Sequence, residues 1–151
     1  MKQLLSILIL FVFAYSCSSK INKVFSKEFT EPGPNYSKAV TIIDGKTKTI
    51  YVAGLTGEGN DFETQTRSTF ENIKKVLEMS GAGLKDIIKT NIYIPNLTTE
   101  NVDIFRKIRR ELLGEKNMPA STLVGISALA AKDKLIEIEV IAIIEIKKFK
   151  N

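Results

Sequence analysis

The feature that most restricts the fold is a change of hydrophobic period near residue 62. Phe62, Thr66, Phe70, Ile73, Val76 and Leu77 recur three and four residues apart, and Glu63, Arg67, Glu71, Lys74, Lys75 and Glu78 fill most of the other side. That is the stripe of an amphipathic helix. Asp61 is a suitable N-cap, and Gly81-Ala82-Gly83 ends the helix. Upstream, "KAVTIIDGKTKTIYVAGLT" holds two β-rich runs, residues 39–43 and 49–55, around Asp44-Gly45. That dipeptide favours positive φ and marks a hairpin, here in a slightly longer loop. "GEGND" is a second breaker, and "DIIKTNIYI" alternates like a strand until Pro95. A second helix, roughly Thr99 to Leu113, has Val102, Phe105, Ile108 and Leu112 on its apolar stripe, and Gly114 closes it. "NMPASTLVGISALAAKDKLIEIEVIAII", residues 117–144, reads as two strands joined by a polar turn. The order ββ(β)–α–β–α–β–β calls for an α+β domain: one mixed β-sheet with two helices packed on one face.

Helices on one side leave the other sheet face to be covered. On the last strand Glu137 and Glu139 alternate with Ile136, Ile138 and Val140, so one face is apolar and the other partly acidic. Two solutions are open: oligomerisation around that face, or solvation on a monomer.

Composition narrows the chemistry. The 151 residues suffice for one domain with its own core. There is no histidine, which excludes imidazole-based zinc sites and Ser-His or Cys-His catalysis. The single cysteine, Cys17, excludes an intramolecular disulfide and any CxxC site. A net charge of +5 is spread over lysines without a basic block interleaved with aromatics, which argues against nucleic acid as a partner.

The opening "MKQLLSILILFVFAYSCSSK" has an early lysine, an apolar run over residues 4–13 and then small polar residues. This is the anatomy of a secretory signal. Ala14-Tyr15-Ser16-Cys17 resembles a bacterial lipobox, with Ala14 where leucine is usual. The expected organisation is a signal peptide over 1–16, a lipidated Cys17 and tether over 17–26, a folded domain over 27–146 and a basic tail over 147–151. Lipid at Cys17 would anchor the domain to a membrane of the bacterial cell envelope, on the periplasmic side or at the outer membrane. The other readings are an ordinary cleavable signal or an N-terminal membrane anchor.

Four stretches, "GPNYSKAV", "IYVAGLTG", "QTRSTFENIKKVLEMSGAGLKDIIKTNIYI" and "MPASTLVGISAL…IEIEVIAI", in this order and spacing, resemble the RidA (YjgF-like) reactive-intermediate deaminases over residues 27–144. The resemblance implies a chorismate-mutase-like fold and a homotrimer with ligand clefts between subunits. It also implies hydrolysis of small 2-imino acids or enamines without metal or organic cofactor. Glu137 matches the family's water-positioning carboxylate, Tyr36 its cleft tyrosine (with Asn35 inserted after Gly33-Pro34), and Gly54 the glycine of a Gly-Gln pair whose glutamine is here Leu55. Pro119-Ala120 is followed by Ser121 where the resemblance expects the substrate-gripping arginine, and Ile104 or Phe105 stands in place of an asparagine.

Two functions follow as alternatives. One is a deaminase-type hydrolase with altered specificity, in which Glu137 orients water while Tyr36, Gly54, Ser121 and Thr122 contact an uncharged or cationic substrate, since a carboxylate near Glu137 with no cation would be repelled. The other is a non-catalytic trimer that binds a small ligand at the envelope. RNA cleavage is disfavoured. Each residue also has a structural reading: the glutamates as solvated or interface residues, Tyr36 as packing, Ser121 and Thr122 as β-formers, Arg109 and Arg110 as exposed helix arginines.

Overall fold

The computed structural model describes residues 25–146. The expected signal peptide, Cys17, the expected tether up to residue 24 and the expected tail 147–151 lie outside the described residues. The elements are β1 (Phe25–Pro32), β2 (Ser37–Asp44), β3 (Thr47–Leu55), α1 (Phe62–Met79), a 3₁₀ turn (Leu84–Asp86), β4 (Ile87–Pro95), α2 (Thr99–Leu113), β5 (Ala120–Ile126) and β6 (Glu137–Glu145). The strands form one six-stranded sheet in the order β1-β2-β3-β6-β4-β5. Only β4 and β5 run parallel, and α2 is the crossover between them.

Local chemistry sets the helix ends. Asp61 holds an extended backbone and accepts from Thr64 N at 2.8 Å, and Thr98 does the same for Asn101 N at 3.1 Å. Gly81 and Gly114, just past the helices, take φ of 84° and 86°, where a side chain would be strained. Both helices bury the same sheet face. Ile50, Val52, Ile92, Ile94, Ile138, Val140 and Ala142 meet Phe70, Ile73, Leu77, Phe105 and Ile108, all buried. The Phe70 and Phe105 rings stack 6.3 Å apart and join the helices. Fully burying each large side chain contributes roughly 1.5–3 kcal/mol.

Four details depart from expectation. β1 begins at Phe25, inside the expected tether, and pairs with β2 from Phe25↔Asp44 to Pro32↔Ser37. It is an edge strand bearing Lys27, Glu28 and Glu31, so its charges hide the β pattern. The β2–β3 hairpin is tighter than expected: Asp44 pairs with Thr47, and Gly45, at φ 63°, makes the turn with Lys46. β5 and β6 are not neighbours, because β4 lies between them and residues 127–136 cross its end. Leu112, expected on the inner stripe of α2, lies in a groove with Phe70 and Leu84 and is partly exposed.

Candidate functional site

The site begins at an irregularity. Along β3 the chain advances three residues, Val52 to Leu55, while β6 advances two, Val140 to Ile138. This β-bulge puts Gly54 against the first residue of β6. A Cβ on Gly54 would lie 2.7 Å from Cδ of Glu137, so the carboxyl group occupies the space a side chain would take. Glycine is required by that approach rather than by its φ.

Glu137 and Glu139 share a sheet face, yet differ in employment. Glu139 accepts from Asn91 Nδ2 and, at 3.1 Å, from the Tyr93 hydroxyl. Burial first, and the bond to Glu139 second, hold the Tyr93 phenol above its usual pKa. Glu137 has no hydrogen-bond donor among the described residues. Burial pushes its pKa above the ordinary carboxylate value, and the charge of Glu139 pushes it further. A half-buried carboxylate with raised basicity and free lone pairs is suited to hold and deprotonate a water.

Tyr36 is held by a turn in which Gly33 N donates to Tyr36 O at 2.9 Å. Its exposed ring lines a cavity of about 290 Å³ with Gly54, Thr56, Asn72, Lys38 and Lys75. Lys38 pairs with Glu31, whereas Lys75 has no ion pair among the described residues. Gly54 lines this cavity and also abuts the Glu137 carboxyl group, while Glu137 is not itself among the lining residues.

Ser121 and Thr122 belong elsewhere, and to opposite faces. Thr122 is opposite Asn91, which is opposite Glu139, and its hydroxyl accepts from Lys89 Nζ at 2.8 Å. Ser121 is opposite Thr90 and Val140, on the helix side. There it lines a cavity of about 420 Å³ with Val102, Phe105, Arg106, Arg109 and Leu123. Cations line both cavities, Lys38 and Lys75 the first and Arg106 and Arg109 the second, while Glu137 lines neither. Arg109 is not an ordinary exposed helix arginine. Its guanidinium lies 5.6 Å from the Phe105 ring centroid and its Nε is buried without an acceptor among the described residues. Burial first, then Arg106 and Arg110, hold its pKa below the usual guanidinium value.

The family model described as Endoribonuclease L-PSP matches residues 19–144. The chain belongs to this family. Two curated members place it further. A RutC family protein of Pyrococcus abyssi is 35% identical over 127 residues, 79% of this chain and 94% of the relative. The 2-iminobutanoate/2-iminopropanoate deaminase of Dermatophagoides farinae is 32% identical over 121 residues, 75% of this chain and 88% of that protein. Among solved members, a YjgF/YER057c/UK114 family protein from Mycobacterium tuberculosis superposes with a TM-score of 0.68 at 30% identity, covering 79% of this chain and all (100%) of that one. RidA from an Antarctic Psychrobacter gives 0.65 at 27% identity, with 76% and 96% covered. The mixed six-stranded sheet with two helices is the fold of the family.

Lys75, Asn72, Arg106 and the Asn91–Glu139 contact were not singled out from sequence. Lys75 and Arg106 carry no local signal, since both read as solvated helix positions. Asn91 faces Glu139 across two paired strands 48 positions apart, and only the sheet order shows it.

Proposed function

We propose that this family member hydrolyses a small imine or enamine in clefts shared between subunits of a homotrimer. The observation that carries it is Glu137: raised in pKa, without a hydrogen-bond donor among the described residues, and packed against Gly54, which also lines the Tyr36 cavity. The relative named 2-iminobutanoate/2-iminopropanoate deaminase supports the reaction type. In this reading Glu137 takes a proton from water as the oxygen adds to the C=N carbon. The Glu137 carboxylic acid returns that proton to the nitrogen, giving the carbinolamine; Glu137 then carries the hydroxyl proton to the nitrogen as the C–N bond breaks, so that ammonia leaves and the C=O product remains. No step requires a metal or organic cofactor. Cavities of about 290 and 420 Å³ suit a small molecule better than a polymer.

Two groups of residues on different parts of the sheet, Tyr36–Gly54–Glu137 and Ser121–Arg109, do not converge within one chain. An intersubunit cleft, in which one group of each copy faces the other group of its neighbour, accounts for both. Specificity departs from that of the deaminases because Ser121 stands where the resemblance places arginine. The protein is further proposed to be a lipoprotein of the cell envelope, on the strength of the lipobox-like Ala14-Tyr15-Ser16-Cys17.

Freshly generated 2-iminopropanoate and a neutral enamine, offered to purified protein and to Glu137→Gln, test the reaction. Turnover of either compound, lost in the variant, is expected. No turnover of either, with a small ligand retained through purification, would replace the hydrolase by the non-catalytic binder.

A further inference from the structure

Glu137 is unclaimed although a donor stands directly across from it. In the β4–β6 ladder Tyr93 is opposite Glu137 and Asn91 is opposite Glu139. Directly opposed residues on one sheet face are each other's nearest cross-strand neighbours. The Tyr93 hydroxyl nevertheless donates diagonally, at 3.1 Å, to Oε1 of Glu139, the oxygen that also accepts from Asn91 Nδ2. One carboxylate thus collects both donors that β4 presents to the pair, and the other receives none among the described residues. The nearer cations on this face are engaged as well. Lys38, beyond Gly54 on β2, pairs with Glu31, and Lys89, further along β4, donates to Thr122 Oγ1 at 2.8 Å. From β3, Gly54 meets Glu137 without a side chain, and Tyr51 lies opposite Ile141, beyond Glu139.

We propose that Glu139 is a positioning residue of this site: it engages Tyr93 and Asn91, and so keeps the Tyr93 hydroxyl off Glu137 and the Glu137 lone pairs free for water. A phenol O–H on Glu137 would fill an acceptor position that water needs and would stabilise the ionised carboxylate, lowering its basicity. The negative charge of Glu139 works in the same direction, adding to burial in holding Glu137 above the ordinary carboxylate value. Glu139 itself touches neither water nor substrate in this scheme. The assignment rests on the proposed function for the role of Glu137 as base, but it is tested by titration without turnover.

The test is a carbon-13 NMR titration of the Glu137 carboxyl in the full-length protein in mild detergent, for the parent, Glu139→Gln, Glu139→Leu and Glu139→Leu with Tyr93→Phe. Glu139→Gln keeps an acceptor for Tyr93 and removes the charge, so the Glu137 pKa is expected to fall. Glu139→Leu removes the acceptor too, so the phenol turns to the carboxylate opposite it and the pKa falls further. Adding Tyr93→Phe should bring the value back up to that of Glu139→Gln, a reversal that a merely structural Glu139 would not produce. Burial and the bond to Glu139 both hold the Tyr93 phenol up, so its Cζ resonance should titrate at lower pH in Glu139→Gln. That pair of shifts decides the matter if Glu139→Leu does not fold, as judged by circular dichroism. An unmoved Glu137 in folded Glu139→Gln, or equal values in folded Glu139→Leu and the double variant, overturns the proposal. In assays the acid limb of the kcat/KM profile should follow the same order, and a limb unmoved by Glu139→Gln overturns it as well. The expected order of pKa values in a protein that turns over no imine would uphold the hold of Glu139 on Tyr93 and remove only the hydrolase.

Discussion

At Glu137 the demands of activity and stability oppose each other. Its pKa is raised in the folded chain, so folding disfavours ionisation. The sign follows from linkage: below the unfolded value, near 4.3, both states are protonated and nothing is lost, and as pH rises toward the folded value the carboxylate becomes a growing burden. Glu137→Gln is therefore expected to match or exceed the parent in urea midpoint at pH 7, with the difference vanishing near pH 3. The same variant should lose about 10²–10⁴-fold in turnover, the usual range for a general base. Gly54→Ala tests the packing from the other side. Its new methyl group would displace the flexible end of Glu137, so the fold should persist while kcat falls about 10²-fold, as for a misplaced catalytic group. Far-ultraviolet dichroism beside kinetics separates the two effects.

Among the elements, the crossing between β5 and β6 fixes where Glu137 begins its strand, and Gln65 of α1 fixes the crossing. The Gln65 amide donates to Gly59 O at 3.1 Å and to Asp133 O at 3.0 Å, while its Oε1 accepts from Leu135 N at 2.8 Å. Gln65 is only 4% exposed, so water cannot easily substitute for it. Gln65→Leu, similar in volume, leaves these backbone groups unpaired and should lower unfolding free energy by about 2–3 kcal/mol, read as a shift in urea midpoint at constant slope. The apolar stripe of α1 is legible in the sequence, but the part played by Gln65 is not, since its loop partners lie 68 and 70 positions ahead. The third strand before α1, left open in the expected order, is β1, and it is hard to place because edge strands tolerate charges on both faces. The helices and β2, β3, β4 and β6 were readable because each carries its periodicity within a few consecutive residues.

For the whole molecule, the sheet face away from the helices carries a row of directly opposed residues, Phe29–Val40–Tyr51–Ile141. Phe29 is 60% exposed and Tyr51 45%, so this row is apolar surface available to a second copy. Sedimentation equilibrium is expected to give about three chain masses, and Tyr51→Glu to give folded monomers without turnover. A monomeric parent, or an active monomeric variant, would contradict the shared cleft. At the other end of the chain, cells fed radioactive fatty acid should label the parent and not Cys17→Ser; equal labelling would remove the lipid anchor.

The sequence by itself determined the helices, most of the strands, the caps, the family resemblance and the bias of β6 toward carboxylates, because all of these are written in near-neighbour spacing. Tertiary structure decided which glutamate is free, since Glu139 is claimed by Asn91 and Tyr93 across the sheet. It likewise decided that Ser121 shares a cavity with Arg109 and that β4 separates β5 from β6. These are relations between residues brought together by strand order and by the helix crossing over it, and no local period encodes them.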